Sequence, residues 1–129
     1  MVTINGILLD VAPSTAPNCR SCQRQTVHRV TRVSNRKGNA NRPYYICIPC
    51  DKFQCFDDDR GNDPRNPPCL CHVPSRQQVA GLDTSIPGGL HYVCGSGACE
   101  VYKVRRNASE IPVTLDDDLI VIMAGLRLV

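Results

Sequence analysis

The sequence predicts a small, mainly-β, metal-stabilised fold made of two tandem zinc ribbons, each a short β-hairpin or three-stranded sheet, with flanking terminal β-segments. Three observations lead to this prediction. The chain of 129 residues has nine cysteines but no Trp, two Phe and four Tyr. Its cysteine pairs recur twice at similar spacing, and short β-like segments alternate with Gly and Pro turns. Units with so little apolar core usually depend on disulfides or metals.

Cysteine usage favours metal over disulfides. The first residues, MVTINGILLDVAPSTAP, lack the basic region and the long apolar region of a signal peptide. No stretch of about 18 apolar residues occurs, so we expect no membrane association through a spanning helix. A chain in a reducing compartment does not retain disulfides, and we therefore expect an intracellular protein that binds metal. The alternative is a disulfide framework in a secreted protein.

The chain divides into four segments. Residues 1–18 form a β-segment with an Asn-Gly turn signal, followed by a Pro-containing connector. Residues 19–66 and 67–108 are two cysteine modules, which a Pro-rich linker joins. Residues 109–129 are an apolar C-terminal segment whose periodicity does not separate strand from helix. We expect a strand that pairs with the N-terminal GILLDV, because Ile, Val and Leu dominate the segment; a short helix is the alternative.

Two pairs of thiolates about twenty residues apart are the ligand pattern of structural zinc. In the first module 24 residues separate two Cys-x2-Cys pairs, and in the second 22 residues separate Cys-x-Cys from Cys-x4-Cys. We predict two structural Zn²⁺ ions. The first is assigned to Cys19, Cys22, Cys47 and Cys50, and the second to Cys69, Cys71, Cys94 and Cys99.

Two further residues stay open as ligands. Cys55 is expected to fill space as a buried apolar side chain. The alternative is that it replaces Cys50 as a ligand of the first site. His72 follows Cys71 directly and is an alternative ligand of the second site.

The first module is locally basic. From residue 19 to residue 49 the chain has seven Arg and Lys residues and no acid, although its formal net charge is only +3. A one-sided basic patch favours a polyanionic partner over an ordinary surface, where acids are interspersed. The aspartates come later in two runs, 57–59 and 116–118, which we expect to be solvated loops.

The first module also carries a recognisable order of motifs. It has a cysteine pair, an Asn-containing turn, an arginine ahead of two tyrosines, a second cysteine pair, an aromatic residue and an acid. These positions are Cys19, Cys22, Gly38-Asn39-Ala40-Asn41, Arg42, Tyr44, Tyr45, Cys47, Cys50, Phe53 and Asp57. In this order the module resembles the GRF-type zinc finger family. It departs from the family where Asn41 replaces a Gly, Pro43 follows Arg42, and Cys55 replaces a Trp.

The second module looks like a degenerate copy. It keeps the aromatic–Val–Cys approach to the third cysteine, but Gly89 and Leu90 stand where the arginine belongs. Because this arginine is missing, nucleic-acid contact by the second module is in doubt. The resemblance covers roughly 90 residues, which include both modules.

GRF fingers are short β zinc ribbons that bind single-stranded nucleic acid in DNA repair and topoisomerase proteins. The resemblance thus implies a nucleic-acid-binding module, single-stranded DNA or RNA, in the nucleus. The residues agree, because arginines beside aromatic rings neutralise phosphates while bases stack. Tyr45 should face inward, since neighbours on a strand point to opposite sides. The candidates are Arg29, Arg32, Arg36, Lys37 and Arg42 for phosphates and Tyr44 for stacking.

Each of these assignments has an alternative. The alternative role of Tyr44 is that of a core aromatic packed beside the zinc. The alternative role of Arg42 is to hold the turn through hydrogen bonds to backbone carbonyls. The alternative function is a protein-interaction or scaffold module, including a homodimer formed through the apolar termini. We expect no enzyme activity, because no catalytic motif occurs and four thiolates leave zinc no open position. An enzyme would need an unusual site, such as Asp57–Asp59 holding a metal.

Overall fold

The computed structural model describes residues 2–4, 7–9, 15–32, 38–81 and 84–129. Its elements are, in order, β1 (Val2–Ile4), β2 (Ile7–Leu9), β3 (Val27–Val30), β4 (Pro43–Cys47), β5 (Lys52–Phe56), β6 (Arg76–Val79), β7 (Leu90–Val93), β8 (Tyr102–Val104) and α1 (Asp117–Gly125). The strands form a β1-β2 pair and two three-stranded antiparallel sheets, β3-β4-β5 and β6-β7-β8. The mainly-β prediction with two ribbons is confirmed.

Each ribbon has the same plan, in which the middle strand leads into the second cysteine pair. Cys47 is the last residue of β4, and Cys94 follows β7 directly. Cysteines also supply much of the buried volume: in the second ribbon the core is Cys69, Val73 and Cys94, packed against Cys99 and Val101. Since so few large apolar side chains are buried, the ribbons depend on what the cysteines bind.

A β-bulge in β5 decides which side chains share a face of the first sheet. Tyr44 pairs with Phe56 and Tyr45 with Cys55, but Ile46 pairs with Phe53, so one residue of β5 has no partner on β4. That residue is Gln54, which is buried and donates its amide N–H to the Gly97 carbonyl at 2.7 Å. Because of the bulge, both phenylalanines lie on the same side of the sheet as Tyr44.

The C-terminal segment contains a helix, so the expected strand is wrong. Asp116 caps α1 by accepting a hydrogen bond from the Leu119 N–H at 2.9 Å, and Asp117 and Asp118 occupy its first turn. A capping aspartate and acids at a helix N-terminus stabilise the helix, and here they outweigh the β-propensity of Ile and Val. The second aspartate run therefore starts a helix and is not a loop. β1 pairs with β2 and not with the tail.

Helix α1 packs on the first ribbon, and the residues after it reach the second. Gly38, at φ +78°, lies under the helix, where an added Cβ would come within 2.9 Å of Ala124 Cβ. After the helix, the Arg127 carbonyl accepts from the Gly61 N–H at 3.0 Å and the Leu128 carbonyl from Gln77 Nε2 at 3.0 Å. The tail thus fixes the two ribbons to each other.

Two sequence-based expectations remain, one for the N-terminal turn and one for membrane-spanning helices. The predicted Asn5-Gly6 turn lies outside the described residues. Within the described part of the chain, no helix has the length and apolar character needed to cross a bilayer.

Candidate metal centres and nucleic-acid interface

Eight cysteines lie in two clusters of four. Within each cluster the ligand atoms all lie within 4.8 Å of one another. Thiolates at ~2.3 Å from a tetrahedral zinc are about 3.8 Å apart, and the Cys22 and Cys47 sulfurs are 3.5 Å apart. The first cluster contains Cys19, Cys22, Cys47 and Cys50, and the second contains Cys69, Cys71, Cys94 and Cys99. The spacing therefore fits one zinc ion per ribbon.

The chemistry of the donor sets also fits a cation. The Ser21 and Cys71 N–H groups each donate to the sulfur two residues earlier at 3.3 Å, which stabilises thiolate. Backbone hydrogen bonds from Cys22 and Ser21 lower the pKa of Cys19 to about 6. Hydrogen bonds with Cys22 and Cys47 instead raise the pKa of Cys50 to about 12, because neighbouring thiolates cannot all hold negative charge. A bound Zn²⁺ would hold the four sulfurs as thiolates, with release of their protons, and would offset part of their negative charge.

The two residues left open as ligands lie outside these clusters. Cys55 is buried, and burial raises its pKa to about 12, which suits a neutral thiol that fills space. It lies beside Gly97, where an added Cβ would be 3.2 Å from Cys55 Cβ. His72 adopts the left-handed conformation, with φ of 65°, in the turn after Cys71. Neither residue belongs to a cluster among the described residues.

Aromatic rings cover one side of the first sheet. The ring centroids of Tyr44 and Phe53 are 6.0 Å apart, and those of Phe53 and Phe56 are 4.8 Å apart. Phe53 is 43% exposed, while Tyr44 is half-buried. Tyr45 points to the opposite side, as expected, where it is buried with its ring centroid 5.4 Å from that of His28. The sequence analysis missed Phe53 as an exposed ring, because the bulge that turns it outward has no clear signal in the sequence.

The structure brings one predicted cation beside these rings. Arg29 is the cross-strand neighbour of Tyr44 and is exposed, and its Nη1 donates to the His28 carbonyl at 3.0 Å. Arg32 follows β3 and is also exposed. Arg36 and Lys37 lie in residues 33–37, outside the described part of the chain.

Arg42 lies in a different environment from the one predicted. Its side chain is 2% exposed and forms an ion pair with Asp58, whose Oδ2 is 2.7 Å from Nε. Nη1 donates to Asn39 Oδ1 at 3.1 Å, and Cζ lies 3.5 Å from the centre of the Phe56 ring. The expectation that Arg42 contacts phosphates is therefore contradicted, since its guanidinium is buried against protein groups. The structure agrees better with the alternative, in which Arg42 holds the turn that precedes it, because its partner Asn39 belongs to that turn.

Asp58 connects the two ribbons through two buried arginines. Its Oδ1 accepts from Nη2 of Arg42 and from Nη1 of Arg76, each at 3.1 Å, and Arg76 belongs to β6 and is fully buried. Burial alone would raise the pKa of Asp58, but the hydrogen bond and charge of Arg42, followed by the charge of Arg76, bring it below its usual value. The middle residue of the first aspartate run is thus a buried ion-pair partner, not part of a solvated loop.

A cavity of about 430 Å³ lies between the two ribbons, and Phe53 and Tyr102 both line it. Tyr102 is 60% exposed and stacks on His91, with ring centroids 4.7 Å apart. His91 occupies the position that Tyr44 has in the first ribbon, but it is buried, and burial lowers its pKa. The second ribbon therefore does not repeat the exposed face of the first.

Comparison with known proteins supports the reading of the first ribbon. Residues 16–60 match the GRF-like zinc ribbon domain family. Among solved structures, the crystal structure of human NEIL3 tandem zinc finger GRF domains is similar, with 22% identity, 68% of this chain and 96% of that chain covered, and a TM-score of 0.28. The search of curated proteins finds no match.

The family match confirms the resemblance of the first module to GRF-like zinc ribbons. The family match covers the first module, and the second four-cysteine cluster supports a tandem copy. Two such clusters in a zinc ribbon chain indicate two structural zinc ions.

Proposed function

We propose that the chain binds single-stranded nucleic acid, DNA or RNA, through the exposed side of the first ribbon. The observation that carries the proposal is that Arg29 lies directly across the β3-β4 strand pair from Tyr44. The Tyr44 ring centroid is in turn 6.0 Å from that of Phe53, which is 43% exposed. Arg29, Tyr44 and Phe53 are called the aromatic face. A base stacks on any such ring without sequence preference, while a neighbouring cation neutralises its phosphate.

The charge of the aromatic face supports a polyanionic partner. Within the described part of the chain, no carboxylate forms an ion pair with Arg29 or Arg32. Their charge therefore remains available to phosphates. Arg36 and Lys37 belong to the same predicted phosphate contact, and Arg42 acts indirectly by covering Phe56 and holding the turn.

Zinc has a structural role in this proposal. The eight clustered cysteines are its ligands, and the two ions hold the strands that carry the aromatic face. Four thiolates leave no open coordination position, so the proposal assigns the chain no catalytic step. Intracellular and nuclear localisation remains the corresponding prediction.

A titration of a fluorescein-labelled oligothymidylate and an oligouridylate, followed by anisotropy at two salt concentrations, tests the proposal. Tyr44→Ala should weaken binding about 5- to 150-fold, which corresponds to ~1–3 kcal/mol for one stacked base. Leu70→Ala is the control, because Leu70 is 69% exposed in the second cysteine turn, away from the aromatic face. Absence of binding by the zinc-loaded parent at low salt, or equal affinities of the two variants, would contradict the proposal.

A second candidate function is self-association through α1. Leu119, Ile122 and Leu126 recur at helical spacing and are 45%, 55% and 66% exposed, so they form an apolar stripe without cover in the monomer. Light scattering should give a dimer mass for the parent and a monomer mass for Ile122→Glu. Ile111→Glu is the matched control, since Ile111 is 57% exposed but lies before the helix. A monomeric parent would exclude this candidate.

A further inference from the structure

The second ribbon has a basic groove along its edge strand. The groove encloses about 810 Å³, and its described lining contains four cations, two tyrosines and one acid. These residues are Arg65, Lys103, Arg105, Arg106, Tyr92, Tyr102 and Glu110. Sequence comparison of the two modules did not suggest such a surface, because the arginine that precedes the aromatic pair in the first module is missing here.

The strand register explains how the groove arises. Lys103 of β8 pairs with Tyr92 of β7, so a cation and a ring lie side by side on neighbouring strands. Arg29 and Tyr44 have the same relation in the first ribbon, but there the cation comes from β3. The second ribbon therefore has a cation–aromatic pair of its own, made from different strands and from the sheet side opposite to His91.

The cations of the groove are oriented largely by neutral groups. Nη1 of Arg105 donates to Gln77 Oε1 at 2.7 Å, and Nη1 of Arg106 donates to the Glu110 carbonyl at 3.1 Å. These bonds restrict the side chains without cancelling their charge. Arg65 is the exception, since it pairs with Asp63 at 2.9 Å in its own turn. Lys103 is exposed.

Tyr102 connects this groove with the first ribbon. Tyr102 is 60% exposed, and its ring stacks on the His91 side of the edge strand β8. As a residue of that strand it borders both the cavity between the ribbons and the basic groove, and Phe53 lines the cavity from the other side. Exposed rings therefore lead from the aromatic face, through the cavity, to the edge strand β8, and Lys103 lies on the other side of that strand. A single strand follows such a path, because each unpaired base can stack on a ring as its phosphate meets a cation.

We propose that the second ribbon binds a further stretch of the same single strand, with Lys103 and Arg106 on phosphates and Tyr102 under a base. This inference rests on the proposed function of the first ribbon. It assigns a ligand to the module whose sequence had lost the family's arginine.

The salt dependence of binding tests the inference directly. For single strands, log K falls with log salt concentration by about 0.7 for each phosphate that a cation neutralises. The Lys103→Ala/Arg106→Ala double variant should therefore reduce the slope for a long oligothymidylate or oligouridylate by about 1.4. Arg24→Ala is the control, because Arg24 is exposed but lines neither the cavity nor the groove. It should leave the slope unchanged, and zinc content should be equal in all variants.

Tyr102→Ala separates single-strand recognition from general attraction to charge. It should weaken binding of the single strands about 5- to 150-fold and change binding of a duplex of the same length much less. If the double variant had the same salt slope and the same affinity as the parent, the inference would be overturned, while the proposed function would remain intact. If Tyr44→Ala lost binding and the second-ribbon variants had no effect, the inference would likewise be overturned and the proposed function retained. Equal competition by polyglutamate would also overturn it, since the groove would then accept any polyanion.

Discussion

Removal of the Asp58 carboxylate should cost a large part of the stability of this fold. Arg42 is 2% exposed and Arg76 fully buried, and both donate to this one carboxylate. Breaking a buried ion pair by deleting one partner costs about 3–5 kcal/mol, because the remaining charge stays buried without a counter-ion. Asp58→Ala leaves two such guanidinium groups, so we expect a loss of at least this size. Small domains have total stabilities of about 5–15 kcal/mol.

Urea unfolding of the zinc-loaded chain measures this effect. Asp63→Ala is the matched control, because Asp63 pairs with Arg65, whose side chain is 90% exposed, and an exposed pair contributes only about 0–1 kcal/mol. Since the folded chain lowers the pKa of Asp58, its contribution is fully present above the unfolded value of about 4 and is lost only as pH falls through the folded value. The difference between parent and variant should therefore stay constant from about pH 8 to about pH 6. Equal losses in the two variants would refute the assigned role of Asp58.

Two further predictions concern the metal and the contact between the ribbons. Chelation should release two zinc ions per chain and abolish the β-sheet signal in circular dichroism, since structural zinc sites contribute roughly 10–16 kcal/mol each; one ion per chain, or a retained sheet signal, would contradict this. Gly97→Ala should destabilise the chain by about 1–3 kcal/mol, because Gly97 has a φ of +71° and an added Cβ would lie 2.8 Å from the Gln54 carbonyl oxygen. Gly125→Ala is the control and should instead stabilise the chain by about 0.5–1 kcal/mol, since nothing lies within 4 Å of that position in α1. A urea midpoint of Gly97→Ala equal to or above that of the parent would contradict the contact described at Gly97.

The ribbons and their cysteine clusters were predictable because the signals for them are local and repeated. A cysteine pair defines a tight turn, and the β-rich segment before Cys47 and Cys94 defines a strand that leads into the second pair. For the C-terminal segment a strand was preferred and a short helix was only the alternative, because Ile and Val dominate its composition while the deciding contact is a single capping hydrogen bond from Leu119 to Asp116. Composition and capping pointed to different conformations, and the sequence alone did not rank them.

The role of Arg42 was mispredicted because it depends on distant partners. Strict alternation along β5 would place Phe53 and Cys55 on one side, whereas the bulge places Phe53 and Phe56 there. Arg42 then covers Phe56 and reaches Asp58, and Arg76 reaches the same carboxylate from the other ribbon. These contacts belong to tertiary structure, and neither spacing nor local charge indicates them. What the sequence offered was a basic segment beside aromatic residues, and Arg29 and Tyr44 retain that relation in the folded chain.

The most direct test of the account is to map the nucleic-acid contact residue by residue. Backbone amide chemical shifts of the zinc-loaded chain can be followed by NMR during titration with unlabelled oligothymidylate. The account predicts the largest changes at Arg29, Tyr44 and Phe53, with further changes at Tyr102 and Lys103. Changes confined to α1, or none at saturating oligonucleotide, would contradict it.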